Sequence, residues 1–298
     1  MNIVDCCFQS HGTGCAGTLM LPDSSVPPPV IVMAHGFGNI RTARLPAFAE
    51  RFVMAGYSAF LFDYRTFGDS DGEPRHLVHP GQQLDDWRAA IDYVRSRPDV
   101  DSERMILWGT SFSGGHVLKL ASERDDFAAV ISQMPHVSGP ATSAMPHPLT
   151  IVKSTLAGLL DLAGSLVGRP YYRPIAGRPG ECAGVTGDAA LDGYWTMIPD
   201  DANWENKILS RSFLYVPFYS PRNEARRVTA PTLMIAAARD SVVPASAARR
   251  AARRIPDSRF HLLECNHFEP YFGDVFEKNI ALQVEFLRTH APVEQSTT

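Results

Sequence analysis

The sequence has no long basic run, no cysteine spacing suited to a metal and no clean apolar stretch of membrane-spanning length. Its net charge is −4 in 298 residues. Phosphate binding needs clustered cations, so we expect no nucleic-acid partner. The five cysteines are odd in number and show no CxxC or Cys/His spacing, which argues against a disulfide framework and a zinc site. The sequence therefore predicts a protein without a metal.

The most hydrophobic stretch, residues 149–167, is interrupted by Lys153, Asp161 and two glycines. It falls short of the ~20 uninterrupted apolar residues that cross a bilayer, so we interpret it as a helix that covers an apolar surface. Near the start of the chain, Asp5 and several polar residues stand where a secretory signal needs a basic start and an apolar segment. We therefore expect a cytoplasmic protein without stable membrane insertion.

Short apolar segments rich in Val, Ile, Leu and Ala alternate with helical segments, which is the pattern of β-α units that wind a mostly parallel sheet. We predict about eight strands, at residues 3–8, 15–21, 30–34, 58–62, 105–108, 128–132, 232–237 and 260–263. We predict flanking helices at residues 41–55, 81–97, 113–122, 245–254 and 274–289. The first two strands form an antiparallel hairpin around a glycine-rich turn, and the last six are buried.

Residues 136–223 break this alternation with prolines, a long apolar helix and scattered aromatic residues. We interpret them as an inserted, mainly helical lid on an α/β core made of residues 1–135 and 224–298. The lid aromatics that we assign to substrate binding are Tyr194, Trp195 and Trp204. Packing of the lid onto the sheet is the alternative role for such side chains.

Ser111 follows an apolar segment that ends at Trp108 and precedes a predicted helix. A serine on a sharp strand-to-helix turn exposes its hydroxyl near a helix N-terminus, where free N–H groups favour a developing anion. Gly109 and Ser113, two positions away on either side, are small enough for such a turn. The usual pentapeptide has glycine where this chain has Ser113. The alternative is a serine that caps the helix.

Asp240 lies just past the end of the predicted strand 232–237, and His267 follows the next predicted strand. The carboxyl ends of parallel strands meet at one edge of a sheet, where active sites form. The order Ser, Asp, His along the chain is the order of α/β-hydrolases. We predict that Ser111, Asp240 and His267 form a catalytic triad in which His267 is the general base and Asp240 orients it.

The segment His35-Gly36-Phe37-Gly38 follows the predicted strand 30–34. We assign the backbone N–H groups of Phe37 and Phe112 to an oxyanion hole, in which each donor is worth about 3–4 kcal/mol of barrier. Glycine beside these groups leaves the backbone accessible. His35 either braces this loop or contacts the substrate, and we carry it as a substrate-binding candidate.

Together with Gly68-Asp69-Ser70-Asp71-Gly72, these motifs resemble the α/β-hydrolase superfamily over nearly the whole chain. Within that superfamily the chain resembles dienelactone-hydrolase and acyl-peptidase-like esterases, and also fungal polyketide acyltransferases and thiohydrolases. The resemblance implies ester, thioester or amide chemistry without a cofactor.

We therefore predict a serine hydrolase that cleaves carboxylic ester or thioester bonds through an acyl-enzyme on Ser111. The apolar first helix of the lid favours a small-molecule substrate with an apolar acyl group. Two alternatives stay open: transfer of the acyl group to an alcohol or a carrier-derived acceptor, and a non-catalytic binding protein on the same fold. A homodimer is compatible with the sequence.

Overall fold

The computed structural model describes residues 1–293, and its main feature is a single eight-stranded sheet. The strands in chain order are β1 (Asn2–Ser10), β2 (Thr13–Leu21), β3 (Pro29–Ala34), β4 (Ser58–Phe62), β5 (Asp101–Thr110), β6 (Ala129–Gln133), β7 (Tyr172–Arg173), β8 (Ile208–Leu209), β9 (Thr232–Ala237) and β10 (Ser258–Leu263). In the large sheet the spatial order is β1-β2-β4-β3-β5-β6-β9-β10, and β7 pairs with β8 separately. Over residues 1–293 the antiparallel pairs of the large sheet are β1 with β2 and β2 with β4, and its other neighbouring strands are parallel. The prediction of about eight strands in a mostly parallel sheet is confirmed.

The hairpin between β1 and β2 turns through His11 and Gly12, whose φ angles are +49° and +79°. Two positive φ angles are what a tight two-residue hairpin turn requires, because its twist then matches that of the strands. The prediction that the last strand, residues 260–263, is buried is wrong. Strand β10 is the edge of the sheet, and Leu262 on it is 37% exposed because only β9 flanks it.

The helices cover the sheet as the alternating pattern predicts. They are α1 (Leu45–Met54), α2 (Pro80–Arg95), α3 (Phe112–Ala121), α4 (Gly139–Ser143), α5 (Pro148–Ser165), α6 (Ala190–Met197), α7 (Ala245–Ala252) and α8 (Gly273–His290). Helix α1 begins later than predicted because Arg44 has a left-handed φ of +62° directly before it. Helices α1 and α8 contact each other, as do α2 and α3. The strands β3, β4, β6 and β9 are buried along their whole length.

The segment between β6 and β9, residues 134–231, carries α4, α5, α6 and the small sheet, and we call it the insertion. Asp161, one of the polar interruptions of α5, is buried and accepts the backbone N–H groups of Tyr171 and Arg211 at 2.8 and 2.9 Å. These bonds fasten α5 to later parts of the insertion. Helix α5 and the turn after it expose large apolar side chains, namely Leu149, Ile151, Val152, Leu156, Leu159, Leu160, Leu162, Leu166 and Val167. Over residues 1–293, no helix combines the length and apolar character needed to span a membrane.

Candidate active site

Ser111 stands on a strained turn between β5 and α3. Its φ of +55° and ψ of −113° are unusual for a residue with a side chain, and such strain typifies functional sites. Gly109 makes the turn sterically feasible, because a Cβ there would lie 2.2 Å from the Ser113 carbonyl oxygen. The backbone N–H of Ser111 donates to the carbonyl of Gln133 at 2.8 Å, which ties the turn to the end of β6.

The structure brings Ser111, His267 and Asp240 into one hydrogen-bonded line. His267 Nε2 lies 3.1 Å from Ser111 Oγ, and His267 Nδ1 lies 2.7 Å from Asp240 Oδ2. The side chains of His267 and Asp240 are only 5% and 2% exposed, so little water competes for the bond between them. This is the geometry that a serine nucleophile, a general base and an orienting carboxylate require.

The surroundings of Asp240 determine which nitrogen of His267 carries the proton. Its Oδ1 accepts the backbone N–H groups of Val242 and Val243, each at 2.8 Å. An ionised carboxylate only accepts hydrogen bonds, so Nδ1 of His267 must donate to Oδ2. Nε2 of the neutral ring is then left as the acceptor for the Ser111 hydroxyl, which is the tautomer that a general base needs.

The loop after β3 passes directly against the serine. A Cβ on Gly36 would lie 2.9 Å from Ser111 Cβ and 3.3 Å from Ser111 Oγ, so only glycine permits this approach. The next residue, Phe37, and the first residue of α3, Phe112, line one cavity together with Ser111. The N–H of Phe112 belongs to the first turn of a helix, where backbone donors have no helical carbonyl to bind. Phe37 and Phe112 therefore both border the cavity that contains Ser111.

Two of the lid aromatics brace this loop instead of facing the cavity. The hydroxyl of Tyr194 donates to the Phe37 carbonyl at 2.6 Å, and Nε1 of Trp204 donates to the Gly38 carbonyl at 2.8 Å. Trp195 is 56% exposed and packs edge-on against Trp204. None of these three side chains lines the cavity that Phe37, Phe112 and Ser111 share, whereas Tyr194 borders a smaller cavity together with Ser111 and His267. Their assignment to substrate binding stays a prediction.

His35 is also placed away from the large cavity. It is fully buried, and its Nδ1 lies 3.0 Å from the Gly36 carbonyl. Burial lowers the pKa of His35 to about 4, so the ring is neutral at physiological pH and donates from Nδ1. Of the two roles left open from the sequence, the contacts favour the brace.

A chain of buried hydrogen bonds, not foreseen from the sequence, explains Ser113. Trp87 Nε1 donates to the Tyr64 hydroxyl at 2.7 Å, Tyr64 bonds to the Ser113 hydroxyl, and Ser113 Oγ donates to the His35 carbonyl. All four residues are buried. A glycine at position 113 could not join the serine turn to the Gly36 loop in this way. The departure from the usual pentapeptide was the available signal, but its partners are distant in sequence.

The cavity beside Ser111 has a volume of about 170 Å³. The insertion supplies most of its wall through Met145, Ile151, Val185, Phe213, Val216 and several hydroxyl side chains. Among residues 1–293, no Asp, Glu, Lys or Arg side chain lines it. An uncharged group therefore fits it best, since a charged one would lose its hydration without gaining a partner. Over the same residues, no group of three or more His, Cys, Asp or Glu side chains could hold a metal ion.

Comparison with known proteins places these features in a family. A family model described as serine aminopeptidase S33 matches residues 26–169. The chain is 40% identical to the quorum-quenching protein AidA of Acinetobacter baumannii over 98% of this chain and 96% of AidA. It is 26% identical to the polyketide transferase af380 of Aspergillus fumigatus, over 88% of this chain and 90% of that protein.

A solved structure agrees with these matches. The crystal structure of the α/β hydrolase GrgF from a Penicillium species superimposes with a TM-score of 0.81 at 25% identity. The superposition covers 97% of this chain and 99% of GrgF. The likeness therefore includes the insertion as well as the sheet.

Proposed function

Because the chain belongs to the α/β-hydrolase superfamily, we propose that it is a serine hydrolase that cleaves carboxylic ester or thioester bonds of apolar acyl substrates. The observation that carries this proposal is the hydrogen-bonded line of Ser111, His267 and Asp240, whose serine lines an uncharged cavity.

In the acylation half-reaction, Ser111 Oγ attacks the carbonyl carbon while its proton moves to His267 Nε2. The carbonyl oxygen becomes an anion and is stabilised by the backbone N–H groups of Phe37 and Phe112. Asp240 Oδ2 stabilises the imidazolium that forms. His267 then returns the proton to the leaving alcohol or thiol as the bond to the carbonyl carbon breaks, which leaves an ester on Ser111.

In the deacylation half-reaction, a water molecule takes the place of the leaving group. Its proton moves to His267 Nε2 as its oxygen attacks the acyl-enzyme, and His267 then protonates Ser111 Oγ as the free acid departs. The same donors hold the oxyanion in both halves. Neither half consumes an oxidant or needs a cofactor.

The cavity sets the size of the acyl group. A dry protein cavity of about 150 Å³ holds a benzene molecule, so the cavity of about 170 Å³ beside Ser111 has room for an apolar group of about six carbons. Chains much longer than this would have to extend past α5 into solvent. We therefore propose acyl groups of about four to eight carbons as the best substrates.

Acyl transfer is the second candidate, and the relative described as a polyketide transferase favours it. The same acyl-enzyme would pass its acyl group to an acceptor alcohol in place of water. Product analysis with and without added alcohol separates the two, because transfer yields a new ester whose share rises with the alcohol concentration. The relationship to a quorum-quenching protein is compatible with hydrolysis of a signal molecule.

The first test is covalent labelling of the serine. A fluorophosphonate probe should label the wild-type chain, and peptide mapping should place the label on Ser111. Ser111→Ala should remain unlabelled, whereas the control Ser122→Ala, a serine at the end of α3, should label normally. An unlabelled wild-type protein would refute the proposal.

The second test is a series of p-nitrophenyl esters from acetate to dodecanoate. We expect kcat/KM to peak between about four and eight carbons and to fall on both sides, because shorter chains leave the cavity part empty and longer ones protrude. A flat profile would contradict the assignment of the cavity as the acyl site. Turnover that persists in Ser111→Ala would support a different mechanism.

A further inference from the structure

We propose that His136 selects acyl groups that carry a hydrogen-bond donor, a hydroxyl or an amide N–H, by accepting that donor at its Nδ1. The proposal rests on the proposed function and adds a substrate class to it.

His136 is directly attached to the nucleophile turn. Its backbone N–H donates to the Ser111 carbonyl at 2.8 Å, and its ring lies 5.0 Å from the ring of Phe112. The residue is only 2% exposed, yet it forms part of the cavity wall beside the serine. An acyl group that is attached to Ser111 and occupies this cavity therefore has His136 in its wall.

The contacts of His136 fix its tautomer. Nε2 lies 3.2 Å from the carbonyl oxygen of Tyr219, and a carbonyl can only accept, so Nε2 carries the hydrogen. Burial lowers the pKa of His136 to about 4, so the ring holds one proton at neutral pH. The lone pair is then on Nδ1, which can accept a hydrogen bond but cannot donate one.

Nδ1 has no hydrogen-bond partner among residues 1–293, and it is not among the fully enclosed unpartnered atoms. The accessible part of the ring belongs to the cavity wall. A hydroxyl or an amide N–H on the acyl group can donate to this nitrogen.

A plain alkyl chain would displace water from His136 Nδ1 without replacing the hydrogen bond. A site that desolvates a polar atom without pairing it discriminates against such a ligand, whereas a donor-bearing ligand restores the bond. The rest of the wall is apolar or hydroxyl-bearing and would not distinguish the two as strongly. Selection by a neutral acceptor therefore favours mainly apolar acyl chains that carry one uncharged hydrogen-bond donor.

The test compares esters that differ only in the donor. The p-nitrophenyl esters of hexanoic, 2-hydroxyhexanoic and 3-hydroxyhexanoic acid and of N-butyrylglycine are assayed, each corrected for its spontaneous rate. The readout is the ratio of kcat/KM for each donor-bearing ester to that for hexanoate. Wild type should show a ratio of about ten for at least one of them, and the arm that shows it distinguishes hydroxyl from amide.

The variants separate the acceptor from the rest of the ring. In His136→Gln the side-chain amide can still donate to Tyr219 but offers no acceptor at the Nδ1 position, so the ratio should fall about fivefold to tenfold. His136→Asn can place an oxygen at the Nδ1 position and should restore part of the ratio. His261→Gln, a histidine on the edge strand β10, is the control and should leave the ratio unchanged. Thermal unfolding verifies that each variant is folded.

Two results would overturn the inference: a wild-type ratio near one for every donor-bearing ester, or a His136→Gln variant that keeps the wild-type ratio. Failure of the proposed function has a different signature, in which wild type neither labels with the fluorophosphonate nor hydrolyses any ester.

Discussion

The replacement Asp240→Asn is expected to remove almost all turnover while leaving the fold intact. The reason lies in the two backbone N–H groups of Val242 and Val243, which donate to Oδ1 at 2.8 Å each. In the variant the amide oxygen must take that place, because an NH2 group there would face two donors. The amide NH2 then faces His267 Nδ1.

A donor at that position forces His267 into the wrong tautomer. Nδ1 has to accept, the proton moves to Nε2, and Nε2 can no longer take the proton of Ser111. In a Ser-His-Asp site this change lowers kcat by about 10⁴-fold, which corresponds to about 5 kcal/mol of barrier. KM should change little because Asp240 does not line the cavity.

Steady-state kinetics with p-nitrophenyl hexanoate measure this effect, and thermal unfolding measures the fold. Asp274→Asn is the matched control, since it makes the same chemical change at an exposed position in the first turn of α8. A variant that keeps more than about a tenth of wild-type kcat would refute the reasoning, because Asp240 would then not set the tautomer of His267.

Three further predictions follow from other contacts. Ser113→Ala removes the donor to the His35 carbonyl. We expect kcat to fall about tenfold at unchanged KM, because the Phe37 backbone donor loses its position. A rise in KM as large as the fall in kcat would contradict this. Burial lowers the pKa values of His35 and His136 to about 4, below the ~6.5 of an unfolded chain, so protonation favours unfolding. The stability that each neutral histidine contributes should therefore be fully present above about pH 6.5. At about pH 5 the free energy of unfolding, measured in urea, should be smaller by about 2 kcal/mol for each histidine, and the loss should be smaller in His136→Gln. A free energy of unfolding that does not change with pH would contradict this prediction. The apolar side chains exposed on α5 present on the order of 800 Å² in total, which is what each partner buries in a standard interface, so we expect a second copy to cover them. Leu160→Glu should then shift the sedimentation of the protein from dimer to monomer, unlike the control Met54→Glu on α1, and a wild-type monomer at every concentration would exclude this.

The sheet and the order of the site residues could be predicted because they depend on local patterns. Apolar β-rich segments and their spacing identify strands, and the carboxyl ends of parallel strands meet at one edge whatever the loops do. Asp240 and His267 follow consecutive strands, so their meeting with Ser111 needs only the topology. The burial of β10 could not be predicted, since a buried strand and an edge strand differ in what flanks them and not in their own residues.

The insertion was less predictable for a related reason. The sequence predicts that Tyr194 and Trp204 contact the substrate, but their polar ends reach carbonyls more than 150 residues away in sequence. The tautomer of His136 likewise depends on one distant carbonyl, that of Tyr219. Side chains that act through long-range hydrogen bonds leave no periodic signal in the sequence.

The boundaries of the insertion separate the proposed catalytic residues from most of the residues that line the cavity. Ser111, Asp240 and His267 all lie outside residues 134–231, whereas most of the cavity wall lies within them. Chimaeras that exchange this one contiguous stretch between relatives should therefore exchange acyl preference while keeping the reaction. Such a transplant would work only if the incoming stretch brought its own equivalents of the Tyr194 and Trp204 donors, because without them the host's Phe37–Gly38 loop would lose its anchors.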